Sequence, residues 1–307
     1  MAAASDLNLV LTTLRRLDEC GDLEAMARCI RELDPGIHPW VVRDRRQRWR
    51  SAALALRPTA IFSWGPLLHF RPLRGAVVQG CRLPKSQEYR RLERHGLPVA
   101  EWLLESDATP ERLAGFGAYA VVKPNDGRRG RDVRIRRTSR IRPPDSAAPE
   151  ARDQIVQRFV YTGPWPVSHR VTTLFGEPLE CVRFEADRSR RPLAGVEELG
   201  QGGSSVLVAS GQGCRVSLCH DAEVLELARR AHGAWPEIPL LGIDVLREVP
   251  SGRLYLSEVN AWGLVWCFAP GNCERLEREH GIRIAEQFDG LRLAARILVR
   301  EARQRAR

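Results

Sequence analysis

Two acidic residues and an amide carry the most specific chemical signal in the sequence. Asp244 lies in Gly242-Ile-Asp-Val-Leu246, and Glu258 and Asn260 lie in Leu256-Ser-Glu-Val-Asn-Ala-Trp-Gly263, with Pro250-Ser-Gly252 between the two segments. A three-residue hairpin loop with Gly252 left-handed pairs Val249 with Arg253 and sets Asp244 opposite Glu258. Asn260, two residues further on, shares that face. Two carboxylates and an amide oxygen form a hard oxygen set suited to Mg2+, with nucleotide phosphates completing the shell. Facing like charges repel unless a cation lies between them. The alternative is an exposed hairpin whose carboxylates find arginines.

A second constellation is the run VVKPNDGRRG at 121–130. A P-loop requires the lysine after the glycines and a helix beyond; here Lys123 comes first and a β-patterned segment follows, so this is not a Walker A loop. Gly127 and Gly130 still permit close backbone approach to an anion, with N–H groups turned toward it. An ordinary hairpin turn with an exposed lysine reads the same. Of the 48 Lys and Arg residues only two are Lys, Lys85 and Lys123. An ammonium is a compact point charge where a guanidinium is a planar fork, so a lysine kept against that usage calls for a local reason. Arg170 and Arg183 lie on two runs joined at Gly176-Glu177, where forked hydrogen bonds to phosphate are available; in a chain this rich in Arg, either also reads as surface.

The elements that must position these groups are mixed. Apolar spacing from 7 to 33 predicts two short helices broken at Gly21. Short apolar runs at 58–64 and 75–80 predict buried strands. The segment 85–95 predicts a helix with Lys85 at its entrance, Ser86 as a candidate N-cap and Gly96 at its end. Strands are expected at 118–123, from 133, at 155–160, 170–175, 179–184, 241–249 and 253–259. Asp221 is expected to cap a helix, and Ile284, Phe288, Leu291, Ala294 and Leu298 to mark one face of a long closing helix. The fold class is α+β, rich in antiparallel pairs, with an α/β N-terminal part. Boundaries are expected at 1–84, 85–155 and 156–307.

Composition bounds the rest. At 307 residues, 43% hydrophobic and 28% charged, the chain reads as a subdivided globular enzyme. Its net charge of +10 comes from dispersed arginines without interleaved aromatics, which argues against a nucleic-acid platform. Eight cysteines show no CxxC pair and no zinc spacing. No run of about 18 apolar residues occurs and no secretory signal opens the chain. A reduced, cytoplasmic protein without a membrane role is expected; the oligomeric state is open.

In this order the motifs resemble the ATP-grasp superfamily, the group of D-alanine-D-alanine ligase, glutathione synthetase and the ligases that add glutamate to ribosomal protein. Lys85 with its helix and Gly96-Leu-Pro-Val-Ala100 is similar to the family's first lysine and its "helix, Gly-Ile-Pro-Val-Pro" segment. Lys123 with Gly127 and Gly130 is similar to the second lysine and the phosphate loop. The resemblance covers about 81–300. It implies ATP as cosubstrate and Mg2+ or Mn2+ at Asp244, Glu258 and Asn260. It implies an adenine hinge over Gln157 to Val160, with the Arg158 carbonyl and Val160 amide as contacts, and Arg170 and Arg183 on the γ-phosphate and acyl phosphate. Departures are Gln157 where Glu is common, Ser168-His169 ahead of the first arginine, Glu198 near a position that is Asn in the glutamate-adding branch, and Ala261-Trp-Gly263 in place of a small residue with Pro-Gly.

The reaction so implied is phosphorylation of a small-molecule or peptide carboxylate, followed by amine attack to give an amide, ADP and phosphate. Arg170 and the lysines would act by position and charge. The rivals are an ATP-grasp kinase or thioester-forming ligase using the same site, and a non-catalytic Arg-rich nucleic-acid binder on this scaffold.

Overall fold

The computed structural model describes residues 6–13, 15, 19–43, 56–67, 72–127, 132–144, 153–188, 213–262 and 265–306. Gly130, Glu198 and the glycine-rich loop at 200–205 lie outside the described residues.

A parallel sheet comes first. Strands β1 (Leu7–Thr13), β2 (Ile37–Arg43), β3 (Thr59–Ser63) and β4 (Gly75–Gln79) lie in the order β2-β1-β3-β4, and helix α1 (Gly21–Leu33) joins the first two. The helix expected over the first part of 7–33 is instead β1, buried at all seven positions. Both faces of β1 are covered. Leu7, Leu9 and Leu11 pack with Met26 and Leu298, whereas Val10 packs with Val42 and Ile61. A strand buried on both faces needs no polar alternation, which leaves leucines whose spacing also satisfies a helix.

Helix α2 (Lys85–Arg94) then leads to an antiparallel sheet of β5 (Trp102–Leu104), β6 (Tyr119–Pro124), β7 (Arg134–Arg137) and β8 (Gln154–Arg158), in the order β5-β8-β6-β7. The short helix α3 (Pro110–Leu113) packs beside it, Leu113 joining Leu103, Ala120, Val122 and Val156 in one core. Ser86 is not the N-cap of α2; that position is Pro84. The side chain of Asn125 serves instead, accepting from Ser86 N at 2.8 Å, while the Asn125 carbonyl accepts from Lys85 N at 2.9 Å. The loop after Lys123 is thereby tied to the helix that begins at Lys85.

The third sheet runs β11-β10-β9-β12-β13, all antiparallel, from β9 (Val167–Leu174), β10 (Glu177–Ala186), β11 (Cys214–Leu218), β12 (Leu240–Arg247) and β13 (Leu254–Asn260). Helix α4 (Ala222–Gly233) is capped as expected by Asp221, which accepts from Glu223 N and Val224 N. Helix α5 (Pro270–His280) went unread in the sequence despite Pro270 in its first turn and left-handed Gly281 at its end. Helix α6 (Gly290–Arg305) returns to the first sheet, where Leu298 and Ala302 join the core of Leu9 and Met26.

Two β-bulges decide which side chains face inward. In β12–β13 the ladder runs Arg247 with Leu254 to Val245 with Leu256, then slips so that Asp244 faces Glu258. Ser257 is the extra residue. In β9–β10, Glu177 faces Leu174 and Pro178 faces Thr173, and the ladder then slips so that Glu180 faces Thr172 and Val182 faces Arg170. Here the extra residue is Leu179. A bulge re-aims the side chains beyond it, because strand facing alternates with period two.

Candidate functional site

One cleft of about 940 Å3 collects residues from all three sheets, among them Thr12, Trp64, Lys85, Lys123, Arg170, Glu180, Asp244, Glu258 and Asn260. That volume suits a drug-sized or nucleotide-sized ligand. Leu256 N donates to the Pro98 carbonyl at 2.8 Å and Tyr89 Oη donates to the Ser257 carbonyl at 2.6 Å, so α2 and its following loop are fastened to β13 beside the cleft.

The floor is a cluster of alternating charges. Lys85 Nζ donates to Glu258 Oε1 at 2.8 Å and to the Gly127 carbonyl at 3.1 Å. Lys123 Nζ donates to the Ser257 carbonyl at 3.3 Å and lies 5.3 Å over the Tyr89 ring. Arg170 grips Asp244 with both prongs, Nε to Oδ1 at 2.7 Å and the second guanidinium nitrogen to Oδ2 at 2.8 Å. The bulge at Ser257 thus does two jobs: it turns Glu258 and Asn260 to the face of Asp244, and it leaves a carbonyl that accepts from both Tyr89 and Lys123.

Two carboxylates about 5 Å apart repel by about 3 kcal/mol at an effective dielectric near 20. The Arg170 and Lys85 pairs offset that repulsion here. Burial alone would raise the Glu258 carboxyl, yet Lys85, then Lys123 and Arg170, hold it below its ordinary value. Burial pushes Lys123 down to about 8, with Lys85 adding to the fall. Burial, with Glu258 beside it, pushes Glu88 up to about 8. Lys85, Lys123 and Arg170 thus gather around Asp244 and Glu258, with Glu88 raised toward its neutral form, an arrangement that suits an anionic ligand.

Among the described residues no three His, Cys, Asp or Glu side chains cluster as a metal site. The expected set has only two carboxylates, Asp244 and Glu258; the third donor is the Asn260 amide, on the same face. The donor chemistry fits Mg2+ once phosphates supply the remaining oxygens.

Gln157, Arg158 and Val160, the segment expected to form a hinge, line the same cleft. Gln157 is turned into the core, its Oε1 accepting from Tyr89 Oη at 3.2 Å and its Nε2 donating to the Ala100 carbonyl at 3.4 Å. Arg158 bridges Glu101 and Glu248 at 2.5 and 2.6 Å and stacks over Tyr255. Val160 is buried.

Arg183 is a correction. It pairs with His169, one position out of step with Arg170, and forms an ion pair with Glu185. The bulge at Leu179 puts Glu180, Val182 and Phe184 on the cleft and sends Arg183 to the opposite face of the sheet.

Two buried cleft carboxyls do not stand out in the sequence reading. Glu88 follows Lys85 by three residues, a spacing that puts both on one helical face and was legible. Glu180 is buried in the cleft and accepts from Thr172 Oγ1 at 2.8 Å; burial pushes its carboxyl up to about 7, while Thr172, Arg170 and Cys267 oppose the rise. Its facing depends on the bulge, which nothing in the sequence marks.

No protein-family model matches the chain, and no curated protein matches it. Solved structures do. The ATP-grasp ligase PsnB complexed with a phosphomimetic variant of its minimal precursor, Mg and ADP has a TM-score of 0.57 at 14% identity, covering 97% of this chain and 99% of that one. PsnB with its minimal precursor gives 0.53 at 15% identity, covering 95% and 100%. The D-cycloserine synthetase DcsG gives 0.50 at 14% identity, covering 96% and 99%. With three sheets arranged around one charged cleft and this likeness over nearly its whole length, the chain has the ATP-grasp fold.

Proposed function

We propose that this protein is an ATP-dependent carboxylate-amine ligase that works through an acyl phosphate and releases ADP and phosphate. The observation that carries the reading is the meeting of Lys85, Lys123 and Arg170 with Asp244, Glu258 and Asn260 on one cleft floor. PsnB has been solved with a precursor peptide and AMPPNP, and with Mg and ADP. That supports a peptide or small-molecule carboxylate as donor and Mg2+ as the metal. On this reading residues 1–84 form the substrate-side domain, and 85–155 and 156–307 the two nucleotide-holding halves.

Lys123 and Lys85 hold the phosphates by charge, and Gln157 to Val160 flank the base. Arg170 exchanges its grip on Asp244 for the transferred phosphoryl group, whose planar oxygens match a fork. Asp244, Glu258 and Asn260 would hold Mg2+, which neutralises charge on the phosphate oxygens during transfer. The carboxylate oxygen of the donor attacks the γ-phosphorus, ADP leaves, and the acyl phosphate stays among the same cations.

The amine must lose a proton before it attacks. Glu180 is a buried cleft carboxyl outside the metal cluster, and a group poised near 7 suits a general base at neutral pH. It accepts one ammonium proton, the nitrogen bonds to the acyl carbon, the C–O bond breaks with its electron pair on the departing phosphate, and that phosphate takes the second nitrogen proton.

A screen of ADP release over amino acids, peptides and amines, with product mass analysis, tests the reading. Amide with stoichiometric ADP and phosphate is expected. ADP with a stable phosphorylated product and no amide would replace the ligase by a kinase. RNA or DNA affinity falling steeply with salt, without nucleotide turnover, would move the reading to the non-catalytic binder.

A further inference from the structure

The sheet face turned away from the cleft carries a pair of cysteines. Beyond β11, Cys219 N donates to the Cys181 carbonyl at 2.9 Å and continues the register that pairs Val182 with Leu218. The two cysteines are therefore cross-strand partners on one face. Directly opposed antiparallel residues have Cα atoms about 4.5 to 5.5 Å apart, inside the window a disulfide spans. Gln287 fixes the pair from ahead of α6. Its Oε1 accepts from Cys181 N at 2.9 Å, and its Nε2 donates to the Cys181 carbonyl at 3.0 Å and the Cys219 carbonyl at 2.8 Å.

His169 and Arg183 share this face, since Cys181 pairs with Val171 and Arg183 with His169. His169 is buried, and it and the Asp221 amide at the entrance of α4 act on the Cys219 thiol to lower its pKa. Cys219 is partly exposed, whereas Cys181 is fully buried; both are free thiols.

We propose that Cys219 and Cys181 form a thiol-disulfide exchange site for low-molecular-weight disulfides of the glutathione type, with Cys219 attacking and Cys181 resolving. The neighbouring Cys181 and then His169 hold the Cys219 thiol below the ordinary cysteine value although burial opposes them, whereas Cys219 and burial raise Cys181. The attacking sulfur must be a reachable thiolate, and the resolving sulfur need only be adjacent.

The Cys219 thiolate attacks one sulfur of the small disulfide, whose S–S bond breaks and releases one small thiolate. The Cys181 sulfur then attacks Cys219 Sγ and expels the second small thiolate, which takes the Cys181 proton. Two electrons pass from the protein to the small disulfide, and one intramolecular disulfide forms.

The test incubates the full chain with oxidised glutathione, followed by intact mass and peptide mapping. A Cys181–Cys219 cross-link is expected in the native chain. Cys181→Ser should stop at a glutathione adduct on Cys219, and Cys219→Ser should give neither product at this pair. Iodoacetamide labelling of the native chain at pH 6 is an independent reading. Cys219 should react at least about tenfold faster than Cys29 or Cys273, because the thiolate is the reacting form. Equal labelling rates, or oxidation of other cysteines while Cys181 and Cys219 stay free, would overturn the proposal. Neither readout depends on nucleotide or ligase activity, so its failure leaves the ligase reading untouched.

Discussion

The hairpins β9–β10 and β12–β13 lie side by side, and each contains one extra residue, yet they differ in what that residue does. In β12–β13 the slip at Ser257 brings Glu258 and Asn260 round to Asp244 and completes an acidic cluster. In β9–β10 the slip at Leu179 carries Arg183 away from Arg170 and turns Glu180 inward. One bulge gathers like charges under two cations; the other trades a second cation for a buried acid. The pair teaches that the parity of a strand, set by a single inserted residue, decides site membership as firmly as residue type.

Four measurements press on that contrast. Glu258→Ala removes the partner of Lys85 and half of the acidic pair, and should lower ligase turnover about a thousandfold; ADP release on the substrate found by screening checks it. If turnover survives, the gathering role of the Ser257 bulge is wrong. Glu180→Gln should keep the Thr172 hydrogen bond yet lower turnover about a hundredfold. In the native chain the rate should rise with pH through about 7, as Glu180 ionises, and the variant should lack that limb.

The third measurement is pH-dependent nucleotide binding. Lys123 is charged below about 8 and neutral above it, and Glu88 is neutral below about 8 and anionic above it. Both changes remove positive charge as pH rises. AMPPNP affinity should therefore fall above pH 8 by up to about tenfold per unit, and Glu88→Gln should make the fall shallower; calorimetric titration in buffers from pH 7 to 9.5 checks both. The smallest effect belongs to Arg183→Ala. It ends an ion pair with a partly exposed arginine on the far face, so turnover and AMPPNP affinity should stay within about twofold. A loss comparable to that of Glu180→Gln would restore Arg183 to the site.

Where composition and order spoke, the sequence was readable. Two lysines in an arginine-rich chain both fell on the cleft floor, and the helix entered by Lys85 and the Asp221 cap stand where pattern put them. The facing of Asp244 and Glu258 also stood, but by another route. The expected three-residue loop pairs Val249 with Arg253; in the structure Glu248 N donates to the Arg253 carbonyl instead, and the bulge at Ser257 restores the parity. The same blindness misplaced Arg183, because a bulge leaves no mark on the apolar pattern. Strand β1 was misread for a different reason. Its burial on both faces erased the alternation that separates strand from helix.

The return of α6 to the first sheet has a consequence for biosynthesis. Leu9 and Leu11 share a core with Leu298 and Ala302, so residues 9 and 11 wait for partners made nearly 300 residues later. Until 290–305 have left the ribosome, the inner face of the parallel sheet lacks one of the elements that cover it, and part of its core is open to chaperones. A nascent chain halted before residue 290 should be held by such a chaperone, and one halted after 305 with a linker long enough to clear the ribosome should be released.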